Sequence, residues 1–134
     1  MARKKSAARP TAAELEILQI LWQSGPATVR AVNDRLNEGR GVGYTTTLKL
    51  MQIMFEKGLL IRDESARSHV YSPAAPAKET QGAILDRLVK SAFGGSAARL
   101  VLSALGGHAA SKQEISEIRA LLDRLEGDAD GRAD

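Results

Sequence analysis

The 134-residue sequence contains no cysteine, two histidines and one tryptophan. Without cysteine there are no disulfides, no thiolate metal sites and no cysteine nucleophile. His69 and His108 lie too far apart in the chain to suggest a metal-ligand or catalytic cluster, so no metal and no cofactor is expected. No carboxylate pair or nucleophile–base arrangement stands out either, and an enzyme is not expected. No apolar run approaches the roughly 20 residues of a bilayer span. The opening Met1-Ala2-Arg3-Lys4-Lys5 leads into no apolar signal core. The chain is therefore expected in the cytoplasm, without membrane insertion.

What remains is an ordinary globular composition, 43% hydrophobic and 26% charged, with an uneven distribution of charge. Residues 1–72 hold eleven Lys/Arg against seven Asp/Glu, whereas residues 73–134 hold eight against nine. A basic front half and a slightly acidic back half suggest a polyanion-binding part joined to a part with another task.

Residues 1–10 are basic and small and read as a disordered arm whose Arg3, Lys4, Lys5 and Arg9 would attract phosphate nonspecifically. Thr11-Ala12-Ala13-Glu14 reads as a capping box. The helix behind it carries Leu15, Leu18, Leu21 and Trp22 on one stripe, widened by Ile17 and Ile20, and Gly25-Pro26 breaks it. Trp22 on that stripe is core rather than a stacking platform. A second helix starts at Ala27-Thr28 with Thr28 as N-cap, carries Val29, Val32 and Leu36, and ends in a flexible glycine turn at 39–43. A third runs from Tyr44 to Lys57. Its positions 47, 50, 51 and 54 make the core stripe, and Thr45, Thr46, Lys49, Gln52 and Glu56 make the opposite face. Two β-rich pieces, 58–64 and 68–72, flank Ser65-Ala66-Arg67 as a hairpin with Arg67 at its tip and His69 exposed on a strand.

Three short helices followed by a hairpin is the order of a winged helix-turn-helix. Past a hinge at Pro73-Ala74-Ala75-Pro76 the pattern is helical only. Ile84, Leu85, Leu88, Val89 and Phe93 form one stripe, which stops at Gly94-Gly95. Ser96 caps a helix with Leu100, Val101, Leu102 and Leu105, closed by Gly106-Gly107, beside which His108 is a loop residue. Ser111 and Glu114 approach a second capping box ahead of Ile115, Ile118, Leu121, Leu122 and Leu125. Residues 127–134 read as a disordered acidic tail. The expected organisation is thus an arm over 1–10, a winged helix over 11–73, helices over 74–126 and a tail over 127–134, mainly α overall. Stripes this apolar, on helices strung between glycine turns, leave more surface than one chain covers. A second copy is the economical cover, through Leu85, Leu88, Phe93, Leu102, Leu105, Ile118, Leu122 and Leu125.

The third helix suits double-stranded DNA. A major groove admits one helix, and its base edges are read by short hydroxyls and by Lys or Arg. Thr45, Thr46 and Lys49 are the candidates for base readout, with Tyr44, Gln52 and Arg67 in support. No acidic residue interrupts the first three turns of that helix. A module that had lost DNA binding would be free to accumulate acids there.

The segments Thr11-Ala12-Ala13-Glu14-Leu15-Glu16-Ile17-Leu18, Leu21-Trp22, Pro26-Ala27-Thr28-Val29-Arg30, Tyr44-Thr45-Thr46, Glu56-Lys57-Gly58-Leu59, Val70-Tyr71-Ser72-Pro73 and Phe93-Gly94-Gly95-Ser96 resemble the penicillinase and methicillin-resistance repressors (BlaI/MecI). That resemblance implies a homodimeric winged-helix repressor on a palindromic operator near its own promoter. It also implies relief of repression by a membrane-bound zinc metallopeptidase sensor, through cleavage of the repressor. Two departures stand out. Ile53 occupies a position where the family's third helix often has arginine, and Ser103-Ala104 matches a cleavage segment that carries Asn-Phe in the best-known members. The branch that handles copper uses cysteine pairs, which this sequence lacks. Two other readings of the same residues are a ligand-responsive winged-helix regulator and a winged-helix protein-interaction module without DNA binding.

Overall fold

In a computed structural model of the chain, residues 9–132 are described. The first helix, α1 (Ala12–Ser24), opens on a reciprocal cap. The Glu14 amide donates to Thr11 Oγ1 at 3.2 Å, and the Thr11 amide donates to Glu14 Oε1 at 2.9 Å. It ends at Gly25, whose φ of 89° lies in the left-handed region that favours glycine. Then come α2 (Val29–Leu36), capped by Thr28, and α3 (Tyr44–Glu56). The strands β1 (Leu60–Asp63) and β2 (Val70–Pro73) pair antiparallel, Leu60 opposite Pro73 and Asp63 opposite Val70. Three further helices follow: α4 (Ala77–Ala92), α5 (Ala97–Gly107) and α6 (Lys112–Arg132).

The core gathers one face of each early element. Ile17, Leu18 and Leu21 of α1 meet Val29, Val32 and Leu36 of α2, Met51 and Met54 of α3, and Leu60 and Tyr71 of the hairpin. Each such side chain is worth about 1.5–3 kcal/mol relative to an exposed one, which is what fixes α3 against α1 and α2. Trp22 packs on the rim of this cluster and donates Nε1–H to Ala75 O at 3.1 Å.

Several local expectations need correction. The Thr28 cap stands as read, but Ala27 ahead of it has a partner no local pattern gave: it forms an isolated bridge with Tyr71, with amide-to-carbonyl distances of 3.0 and 2.8 Å, beside the hairpin. The strands are shorter than the β-rich runs, because the loop spans residues 64–69 and leaves His69 outside β2. The turn at 39–43, read as flexible, carries side-chain contacts to α1 and to the end of α2. Arg40 makes a bidentate pair with Glu16 of α1 at 2.8 and 3.0 Å, and Asn37 holds Val42 through both its amide and its carbonyl groups. That pairing holds the Glu16 carboxyl below its ordinary range and raises the Arg40 guanidinium. The segment 73–76 is anchored too, since the Ala74 amide donates to Leu59 O at 2.9 Å.

Contacts divide the chain into two compact units between Asp86 and Arg87, inside α4. In the second unit Gly106 and Gly107 do not close the helix from outside but lie in its last turn, where His108 Nδ1 approaches Ala104 O at 3.1 Å. The expected disordered tail is helical: α6 runs to Arg132, past the end of its apolar stripe. Once nucleated, a helix gains a hydrogen bond for each residue added, and a glycine such as Gly127 costs only about 1 kcal/mol. Residues 133–134 of the tail and Arg3, Lys4 and Lys5 of the arm lie outside the described residues, whereas Arg9 is exposed. Among the described residues no single helix is long and apolar enough to cross a membrane.

Candidate nucleic-acid interface

The start of α3 is set by two asparagines of α2 and the residue after it. Asn33 is buried, and its Nδ2 reaches three acceptors: Thr47 Oγ1 at 2.7 Å, Val42 O at 3.0 Å and Gly43 O at 3.3 Å. Asn37 Nδ2 adds bonds to Asn33 O and Val42 O. A buried threonine hydroxyl in a helix interior needs such a partner, and here the partner also joins the two helices. The end of α3 is fixed by a second polar contact. Lys57 Nζ donates to both oxygens of the buried Glu14 carboxylate, at 2.8 and 2.9 Å. Glu14, read from the sequence as a cap alone, thus both closes the first turn of α1 and clamps the last turn of α3.

With Thr47, Met51 and Met54 turned into the core, the opposite face of α3 is exposed. It carries Thr45, Thr46, Lys49, Gln52, Ile53 and Glu56. Among the described residues Thr45, Thr46, Lys49 and Gln52 make no side-chain hydrogen bond or ion pair. The helix begins at Gly43 with no side chain capping it, which leaves its first-turn amides without a side-chain acceptor.

Tyr44, at the head of α3 and 41% exposed, is stacked by a residue that sequence reasoning had not placed at the site. The Arg30 guanidinium, on the first turn of α2, lies 4.8 Å from the Tyr44 ring centroid. Such a contact holds a cation beside the polar face of α3 without neutralising it. Nothing in the local pattern around Arg30 distinguishes it, because the signal is the approach of α2 to the start of α3. On the wing, Arg67 is exposed in the 64–69 loop. Arg62 is committed inward: it lies 4.0 Å over the Phe55 ring and pairs with Glu64. The loop is further shaped by Ser65, whose hydroxyl and then amide hold the Asp63 carboxyl below its usual range, the amide donating to Asp63 Oδ1 at 2.9 Å. The structure thus brings Tyr44, Thr45, Thr46, Lys49 and Gln52 onto one helix, with Arg67 on the separate hairpin loop.

In the C-terminal helices none of the described side chains is buried. Leu85 and Leu88 of α4, Leu102 and Leu105 of α5, and Leu122 and Leu125 of α6 are exposed, Leu102 at 73%. Phe93 and Ile118 are half-buried. Ser103 and Ala104 are exposed within α5. Among the described residues no group of His, Cys, Asp and Glu could hold a metal ion.

A helical trio that buries one face of its third helix and leaves the polar face open, backed by a paired hairpin, is a winged helix-turn-helix, here extended by three helices. Two solved structures have this fold, those titled as complex structures of hsRosR-SG and hsRosR-S4. Each gives a TM-score of 0.51, at 17% and 20% identity, covering 92% and 100% of this chain and 97% and 100% of theirs. The sequence profile described as Penicillinase repressor matches residues 10–124. The Transcriptional regulator BlaI of Mycobacterium tuberculosis, in strains CDC 1551 / Oshkosh and ATCC 25618 / H37Rv, is 31% identical over 85 residues. That stretch is 62% of this chain and 62% of that regulator. The chain belongs to the penicillinase repressor family of transcriptional regulators.

Proposed function

We propose that the chain is a sequence-specific, DNA-binding transcriptional repressor that acts as a homodimer on a palindromic operator. The observation that carries this reading is the open face of α3, where Thr45, Thr46, Lys49 and Gln52 are exposed and unpaired among the described residues. Hydroxyls, an amide and an ammonium on one helix match the donors and acceptors of a major groove. Thr45, Thr46 and Lys49 read base edges, with Gln52 beside them. Tyr44, Arg67 and the stacked Arg30 hold the sugar-phosphate backbone. Residues 11–73 supply this DNA-binding part, and residues 74–126 supply the dimer contacts through Leu85, Leu88, Phe93, Leu102, Leu105, Ile118, Leu122 and Leu125. Exposed leucines on all three C-terminal helices support that division. Repression is relieved by proteolysis or another signal from a partner membrane metallopeptidase, with Ser103-Ala104 as the candidate cleavage point. Because those residues sit in α5, cleavage there requires the helix to open locally.

The test is a fluorescence-anisotropy titration on a duplex from upstream of the chain's own gene, run over a range of salt. Affinity should fall with a log–log slope of about −0.9 for each phosphate neutralised. Lys49→Ala should cost about 1–3 kcal/mol on that duplex and much less on random DNA. Arg30→Ala and Arg67→Ala should weaken both DNAs evenly and flatten the slope by about 1 each. A flat salt dependence, together with equal losses on both DNAs for Lys49→Ala, would overturn the reading.

A further inference from the structure

Ile53 is the one aliphatic residue on the open face of α3, and it is 38% exposed. Thr46, Lys49 and Ile53 follow one another at three- and four-residue spacings, the spacing that lines residues along one face of a helix. The core of α3 is complete without Ile53: Thr47, Met51 and Met54 fill it, and Ile53 is absent from the partly buried residues packed against the cluster. It therefore keeps a solvent-facing apolar surface, at 38% exposure, beside Thr46, Lys49 and Gln52.

Resting on the DNA-binding reading above, we infer that Ile53 makes the chain specific for a thymine, through contact with the thymine C5-methyl group in the major groove. The chemistry leaves few alternatives. A branched aliphatic side chain has no donor or acceptor. Pressed against a purine N7, a carbonyl oxygen or an exocyclic amine, it would strip water from a polar atom and offer nothing in exchange. The thymine methyl is the apolar feature that unmodified bases present in the major groove, and burying one methyl against another is favourable. Because Ile53 lies one turn beyond Lys49, the thymine lies next to the base pair that Lys49 contacts, farther from the start of α3.

The experiment begins with selection of duplexes from a random-sequence pool by the full chain. The preferred duplex is then resynthesised with each thymine replaced in turn by deoxyuridine, which removes only the methyl. One thymine position in each half-site should stand out, the two related by the symmetry of the palindrome. Demethylation at either should weaken wild-type binding about fourfold, the worth of one buried methyl, and should leave Ile53→Ala binding unchanged. Placing 5-methylcytosine, paired with guanine, at either position should bind better than cytosine for the wild type alone. Circular dichroism, and equal salt slopes for the two proteins, check that Ile53→Ala keeps its fold and phosphate contacts. If sequences are enriched but no deoxyuridine effect depends on residue 53, the inference fails while DNA binding stands. If no sequence is enriched at all, both fail together.

Discussion

Replacing Asn33 by alanine probes the turn that aims α3. Asn33 Nδ2 has two hydrogens for three acceptors, so the bonds it donates amount to about two. Asn33 Oδ1 accepts a long one at 3.2 Å from Asn37 Nδ2, which keeps Asn33 O and Val42 O when it is lost. Two of the acceptors keep another partner in the variant. Val42 O retains Asn37 Nδ2 at 2.9 Å, and Gly43 O retains the Thr47 amide at 3.1 Å. The buried Thr47 hydroxyl has no such substitute among the described residues. At about 1 kcal/mol for each net bond, and somewhat more for a stranded buried hydroxyl, the loss comes to about 2–3 kcal/mol. For a domain of this size that corresponds to a fall in Tm on the order of 10 °C or more.

Urea unfolding followed by the fluorescence of Trp22, the single tryptophan, reports on the unit that contains the turn. Asn33→Asp should be worse than Asn33→Ala, because a carboxylate would face the Val42 and Gly43 carbonyls with no hydrogen to donate. Thr47→Val combined with Asn33→Ala should cost less than the separate losses added together, by about 1 kcal/mol. The reasoning is refuted if Asn33→Ala lies within about 0.5 kcal/mol of wild type, or if the two substitutions simply add.

Leu122→Asp places a charge on a residue that is 52% exposed in the single chain. It should leave Trp22-monitored stability nearly unchanged yet dissociate the proposed dimer, which sedimentation velocity would report as a shift to monomer; an unchanged dimer would remove α6 from the proposed interface. The Arg40 pairing lowers the folded-state pKa of Glu16 from its ordinary 4.5. Its contribution to stability is therefore fully present above pH 4.5 and is lost as pH falls through the lower folded value. Thermal melts of wild type and Glu16→Gln should accordingly differ at neutral pH and converge at acid pH, whereas a constant difference would assign the effect to packing.

What the sequence made legible was whatever is encoded within one turn or one helix. The caps at Thr11, Thr28 and Ser96 lie within three residues of the amides they hold, so local spacing is enough to find them. The division of α3 into a core face and an open face is likewise a property of one helix. The misses share a different cause. Lys57 is 43 residues from Glu14, Ala75 is 53 residues from Trp22, and Ala27 meets Tyr71 only once the hairpin is folded. No window of sequence contains both halves of such a contact. The tail and the second glycine pair failed for another reason: a composition that would not start a helix can still continue one.

The same distinction explains why the interface is only partly visible in sequence. Thr45, Thr46, Lys49 and Gln52 can be picked out because their neighbours at positions 47, 51 and 54 bury the other side of the same helix. Arg30 cannot, since its place depends on the path that Asn33 and Asn37 impose on the chain between α2 and α3. The residues that would read bases are therefore a pattern within an element, and the cation beside them is a product of packing. It follows that disturbing the turn should act on the interface as a whole. Loosening Asn33 would separate Arg30 from Tyr44 and tilt the polar face of α3, with no substitution on that face itself.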